Sequence, residues 1–112
     1  MRNFTLENQI IQAISKLKSF RFRYKDELFF RTFNPYVLYH SPADSNRILV
    51  GGIRIHNDSK PLEPPAFRKY EVALISQFTI TDNSFDYDSG FTTISKEYRN
   101  GIISAIKAIK IY

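Results

Sequence analysis

Apolar residues recur at helical spacing near the start of the chain. Leu6, Ile10, Ile14 and Leu17 stand four, four and three positions apart, with Ala13 on the same side, which predicts an amphipathic helix. Thr5 occupies the place of an N-cap, and Lys16 and Lys18 fall in the last turn, where cations complement the helix dipole. From Phe20 the period shortens to two. Phe20, Phe22 and Tyr24 alternate with Arg21, Arg23 and Lys25, which describes a strand with one buried and one basic face. Lys25-Asp26-Glu27 reads as a turn, and residues 28–39 as a second extended stretch, bent or bulged at Asn34-Pro35 because proline cannot donate to a ladder.

Residues 41–46 are a loop by composition, and 48–56 form a third strand interrupted by Gly51-Gly52. Glycine inside a strand marks a bulge, a sharp bend or a close backbone approach. Residues 57–65 hold three prolines and predict an exposed connection. Tyr70, Val72 and Leu74, then Phe78 and Ile80, predict a fourth strand broken near Ser76-Gln77, followed by an acidic turn over 85–90. Ile102, Ile106 and Ile109, with Ala105 and Ala108, return to helical spacing after Ser95 or Asn100 as a cap, so a C-terminal helix is expected. The order is helix, four or five short strands, helix. This is an α+β chain with a small, curved antiparallel sheet, since no helix long enough for a parallel crossover separates consecutive strands.

The 112 residues, 43% apolar and 24% charged, suit one domain spanning 1–112. The chain has no cysteine, so disulfides, thiolate metal sites and a cysteine nucleophile are excluded. Its start lacks the apolar core of a signal peptide, and no run approaches the roughly 18 apolar residues of a membrane span; a cytoplasmic location without membrane contact is expected. Net charge is +5, unevenly placed: residues 1–31 carry +4, 32–95 carry −2 and 96–112 carry +3. Such a balance suits a polyanionic partner.

Signals for catalysis are weak. His40 and His56 lie on different segments without ligand-like spacing, and no phosphate-loop, dinucleotide, serine-hydrolase or zinc-protease motif occurs. Asp82, Asp86 and Asp88 lack the glycine and glutamate that complete a calcium loop, so neither metal nor cofactor is expected. The positive signal is arginine beside aromatic rings, in Phe20-Arg21-Phe22-Arg23-Tyr24, Arg31-Thr32-Phe33, Ile53-Arg54-Ile55 and Phe67-Arg68-Lys69-Tyr70. Guanidinium forks bind phosphate bidentately and rings stack bases. A half-buried basic strand produces the same letters, and Glu27, Glu63 or Glu71 offer Arg31 and Arg68 ion pairs instead.

The order of these segments resembles the bacterial WYL domains. The residues that carry the resemblance are Ile10, Ala13 and Ile14, then Phe22 to Tyr24, then Arg31-Thr32-Phe33-Asn34-Pro35-Tyr36-Val37-Leu38, then Arg68-Lys69-Tyr70 with Val72 and Ile75, and Phe85 after a short spacer. Arg47-Ile48 stand where the family has its Trp-Tyr, and Leu74 where many members have a second arginine. The resemblance implies a small Sm-like barrel that binds a negatively charged ligand, nucleic acid or nucleotide, as a non-catalytic regulatory module, with Arg31, Tyr36 and Arg68 as ligand-binding residues. Arg54 joins them on charge and spacing. No DNA-reading helix pair accompanies the domain, so a partner protein or a homodimer is expected; Ile102, Ile106 and Ile109 are a candidate docking surface, with packing on the domain's own sheet as the favoured alternative. Two other readings stay open: a small basic toxin-like ribonuclease using His56 and Arg54, and an interaction subunit without ligand.

Overall fold

The computed structural model describes residues 2–88 and 90–106. Its one α-helix, α1 (Phe4–Lys16), buries Leu6, Ile10, Ala13 and Ile14 as their spacing requires. The cap is Asn3 rather than Thr5: its side-chain oxygen accepts the Leu6 amide at 3.0 Å, and Thr5 is the second helical residue. Leu17 closes the helix in the left-handed conformation, so Lys16 lies in the last turn and Lys18 already belongs to the next strand.

Six antiparallel strands follow, described by β1 (Lys18–Tyr24), β2 (Arg31–His40), β3 (Ile48–Asn57), β4 (Ala66–Glu71), β5 (Ile75–Ser84) and β6 (Ile102–Ala105). Their order is β4-β3-β2-β1-β5, with β6 added to β2, and the sheet does not close into a barrel. The long strand β2 explains the arrangement. Its first residues, Arg31, Thr32 and Phe33, pair with β1, and its last, Val37, Leu38 and Tyr39, pair with β6. Between the halves Pro35 faces Gly52 and Val37 faces Gly51, leaving Tyr36 as an extra residue. This is the bulge that a proline without an N–H favours.

The fourth predicted strand is two strands. A 3-10 turn over Val72–Leu74 separates β4 from β5, and the irregularity at Gln77 (φ 53°) lies within β5. The corner is pinned across the sheet, where the Tyr24 hydroxyl accepts the Glu71 amide and Lys25 N–H donates to the Leu74 carbonyl, both at 2.9 Å.

The C-terminal helix is a correction. Ile102–Ala105 form strand β6, and Ser95 caps only a 3-10 turn over Lys96–Tyr98. Branched Ile102 and Ile103 suit a strand, and the C-terminal half of β2 offers a ladder that β1 does not reach. Ile106 is buried, its N–H donating to the Tyr36 carbonyl at 2.8 Å, so it offers no docking surface. Ile109 lies outside the described residues.

Two aromatic clusters fill the interior. Phe20, Phe22, Phe33 and Tyr70 form the first, with ring centres 5.0–5.5 Å apart for Phe20–Phe33, Phe22–Tyr70 and Phe33–Tyr70. Tyr36, Phe67, Phe85 and Phe91 form the second. The segment after β5 is held down by the second cluster and by Glu97, which accepts from the Tyr39 hydroxyl at 2.6 Å and from Lys69 at 2.9 Å.

Burial raises the Glu97 carboxyl, but the Tyr39 and Lys69 hydrogen bonds and the charges of Lys69 and Arg99 outweigh it, and the net displacement is downward. The stabilisation is therefore complete above the ordinary carboxylate value, near pH 4.3, and is lost as pH falls through the lower folded-state value. Glu97→Gln is expected to flatten the acid limb of a stability-versus-pH series in denaturant, by no more than about 1 kcal/mol for so exposed a pair. An acid limb identical to wild type would remove Glu97 as its source.

Candidate anion-binding site

The first cluster carries the candidate site along its open side. Alternation puts Arg31 on the same face as Phe33. Register then sets Arg54 opposite Phe33, Arg68 opposite Gly52 and Tyr70 opposite Val50. Three arginines from three strands thus share a face with Tyr70. The Arg31 guanidinium sits 5.4 Å from the centre of the Tyr70 ring and 5.8 Å from that of Tyr24, within range of a cation–π attraction.

The Tyr70 phenol reports the convergence. Burial pushes it above its usual value, while Arg31, as a charge and as a hydrogen-bond donor, and the charges of Arg54 and Arg68 pull it back. Arg31 and Arg54 are each paired with a carboxylate, Glu27 and Glu63, so Arg68 alone of the three brings an uncompensated charge to this face among the described residues.

Each arginine meets that face differently. Arg31 is mostly buried and holds Glu27, its Nη2 lying 2.8 and 2.7 Å from the two carboxylate oxygens. Arg54 is 4% exposed; it pairs with Glu63 through Nη1 and donates from Nη2 to the Pro64 carbonyl at 2.5 Å. The Nε atoms of both are buried without a partner among the protein atoms, so each fork retains an unused donor. Arg68 is exposed and donates only to the neighbouring Phe67 carbonyl, at 3.0 Å; among the described residues it has no carboxylate partner.

Tyr36 is not part of this arrangement. It is 3% exposed, its hydroxyl accepts the Asp88 amide at 2.7 Å, and its ring stacks on Phe85 at 5.9 Å. Tyr36 is the bulge residue of β2, and its ring lies among Phe67, Phe85 and Phe91 rather than beside Tyr70. Its work is to hold the 85–91 segment.

His56 and Arg54 are also separated. Thr32 pairs with His56 and Phe33 with Arg54, which leaves Ile55 as a bulge between them. Arg54 turns to Glu63 and Pro64, whereas His56 reaches Asp58 at 3.1 Å, and Arg21 reaches the same carboxylate at 3.2 Å. Arg47 pairs with Glu71 at 2.7 Å. Among the described residues no group of three potential metal ligands gathers, and no helix is long and apolar enough to cross a membrane.

The residue that sequence reasoning missed is Tyr70. Its signal was the position two residues after Arg68 on one strand face, which made it a neighbour rather than a mere end to the motif. No family model, curated protein or solved structure matches the chain.

Proposed function

We propose that the protein is a non-catalytic, WYL-like binding module whose ligand is a phosphate-bearing anion, nucleic acid or nucleotide, held by Arg31, Arg54 and Arg68 around Tyr70. The observation that carries this reading is the placement of Arg31, Arg54 and Arg68 on one sheet face with Tyr70, the Arg31 guanidinium lying 5.4 Å from the centre of the Tyr70 ring. A purely structural arginine gains nothing from two further cations beside it, whereas a phosphate does. The open six-stranded sheet behind a leading helix is the scaffold that would carry this site; it does not close into the barrel that the resemblance implies. Tyr36, in this reading, supports the scaffold and does not touch ligand.

The test is fluorescence anisotropy of labelled single-stranded DNA and RNA with wild type and the Arg31→Ala/Arg68→Ala variant, in a salt series. Wild type is expected to bind with a negative salt slope, and the double variant to lose at least about tenfold in affinity, since hydrogen bonds to charged groups contribute about 1.5–3 kcal/mol each. Its salt slope is expected to become shallower by about 1.4, two phosphate contacts fewer on a single strand. Equal affinity and slope for the two proteins would defeat the proposal. No binding by wild type even at low salt would favour an interaction subunit.

A further inference from the structure

The Arg31 fork is not vacant; it already holds an anion. Glu27 presents both carboxylate oxygens to Arg31 Nη2 at 2.7 and 2.8 Å, occupying the donors that a phosphate would use. Glu63 engages Arg54 with a single oxygen, Oε1 on Nη1, while Arg54 Nη2 donates to the Pro64 carbonyl. In both pairs the arginine is the buried member, 17% and 4% exposed, and the carboxylate the exposed one, 43% and 31%. The cations are fixed on strands, whereas the anions sit on connections, Glu27 in the β1–β2 turn and Glu63 between β3 and β4. A ligand approaching from solvent therefore meets the carboxylates first, and Arg68 is the one guanidinium of the three without an anion of its own among the described residues.

From this arrangement we infer that Glu27 is a built-in competitor that sets ligand specificity, so that the site accepts chains of linked phosphates and rejects single ones. The inference rests on the anion-binding reading of the arginine cluster. A tethered carboxylate competes at an effective concentration of about millimolar or above, which a single phosphate at lower concentration cannot match. Linked phosphates escape that limit. One phosphate lands on Arg68, and the next is then itself tethered beside Arg31 and displaces Glu27 on equal terms. The backbone of the turn need not move far, because it is held separately: Arg23 Nε donates to the Glu27 carbonyl at 2.8 Å, and Glu27 N–H donates to the Tyr24 carbonyl at 3.2 Å.

Glu27→Gln tests this, with Asp26→Asn as its control. Asp26 is the adjacent exposed residue, outside every ion pair among the described residues, so the control changes net charge equally without freeing Arg31. The probes are inorganic phosphate, pyrophosphate and a labelled single-stranded oligodeoxynucleotide. Wild type is expected to bind the oligonucleotide and pyrophosphate while ignoring phosphate at submillimolar concentration. Glu27→Gln is expected to gain about fivefold for the oligonucleotide, the full value of a partly exposed ion pair, and to acquire measurable phosphate binding. Asp26→Asn should gain less than about twofold, the share owed to screened long-range charge. Equal gains in the two variants, or none, would overturn the role of Glu27 while leaving the anion site standing. Failure of wild type and of both variants to bind any probe would overturn both together.

Discussion

Replacing Gly52 with alanine is expected to cost about 3 kcal/mol of stability, which for a domain of this size lowers the melting temperature by roughly 15 °C. A Cβ built on Gly52 would lie 2.0 Å from the Asn34 carbonyl oxygen, 3.0 Å from its carbonyl carbon and 3.0 Å from Phe33 Cζ. The nearest atoms belong to backbone, so no side-chain rotation relieves the contact, and β2 and β3 must separate where they pair. Gly51 supplies the comparison. Its Cβ would meet Phe67 Cζ and Val37 Cγ1 at 3.3 Å, side-chain atoms that move by tenths of an ångström, so Gly51→Ala is expected within about 1 kcal/mol of wild type. Urea denaturation of both variants decides the matter. Similar midpoints for the two would show that the strands do not approach so closely. The same displacement would disturb the arginine site, because Gly52 is the residue opposite Arg68.

That close approach was legible in the sequence as an alternative, since glycine inside a strand signals a bulge, a bend or a near backbone. The first strand was legible for a plainer reason: Phe20-Arg21-Phe22-Arg23-Tyr24 alternates in sequence, and Phe20 and Phe22 are buried while Arg21 and Arg23 are not. The tail misled because Ile102 and Ile106 are four apart, a spacing that fits a helix, whereas the strand ends at Ala105 and leaves Ile102 exposed and Ile106 buried. What decided between them was a vacant ladder on β2, a tertiary fact that no local pattern contains. Arg31 and Arg68 were legible as candidates by type. Their convergence with Arg54 was not, because it depends on the β3–β4 register, which is set across the proline-rich 57–65 connection. The bulge at Asn34-Pro35 left the side taken by Tyr36 undecided in the sequence. The Ile55 bulge, which parts His56 from Arg54, had no sequence signal; no glycine or proline marks it. The ion pair between Glu27 and Arg31 stood in the sequence as an alternative to ligand binding, and the structure forms it.

Arg54 separates fold from function most sharply, and two substitutions there are expected to diverge. Arg54→Ala removes a nearly fully buried side chain that holds Glu63 and the Pro64 carbonyl, leaving a cavity and an undonated backbone oxygen. Stripping one partner from a fully buried pair costs about 3–5 kcal/mol. Here Glu63 is 31% exposed and returns to water, so the loss should be nearer 2–3 kcal/mol, mostly from the cavity and the orphaned carbonyl. Arg54→Met fills much of the same space with a flexible apolar chain, and is expected to recover at least half of that loss. Binding should not follow stability. Both variants delete the guanidinium that acts on Tyr70, so both are expected to bind an oligonucleotide about tenfold more weakly than wild type, the loss of one charge-assisted contact. Denaturation midpoints and anisotropy titrations on the same preparations read the two effects independently. If Arg54→Met binds as tightly as wild type, Arg54 serves the fold alone, and the proposed anion site contracts to Arg31 and Arg68.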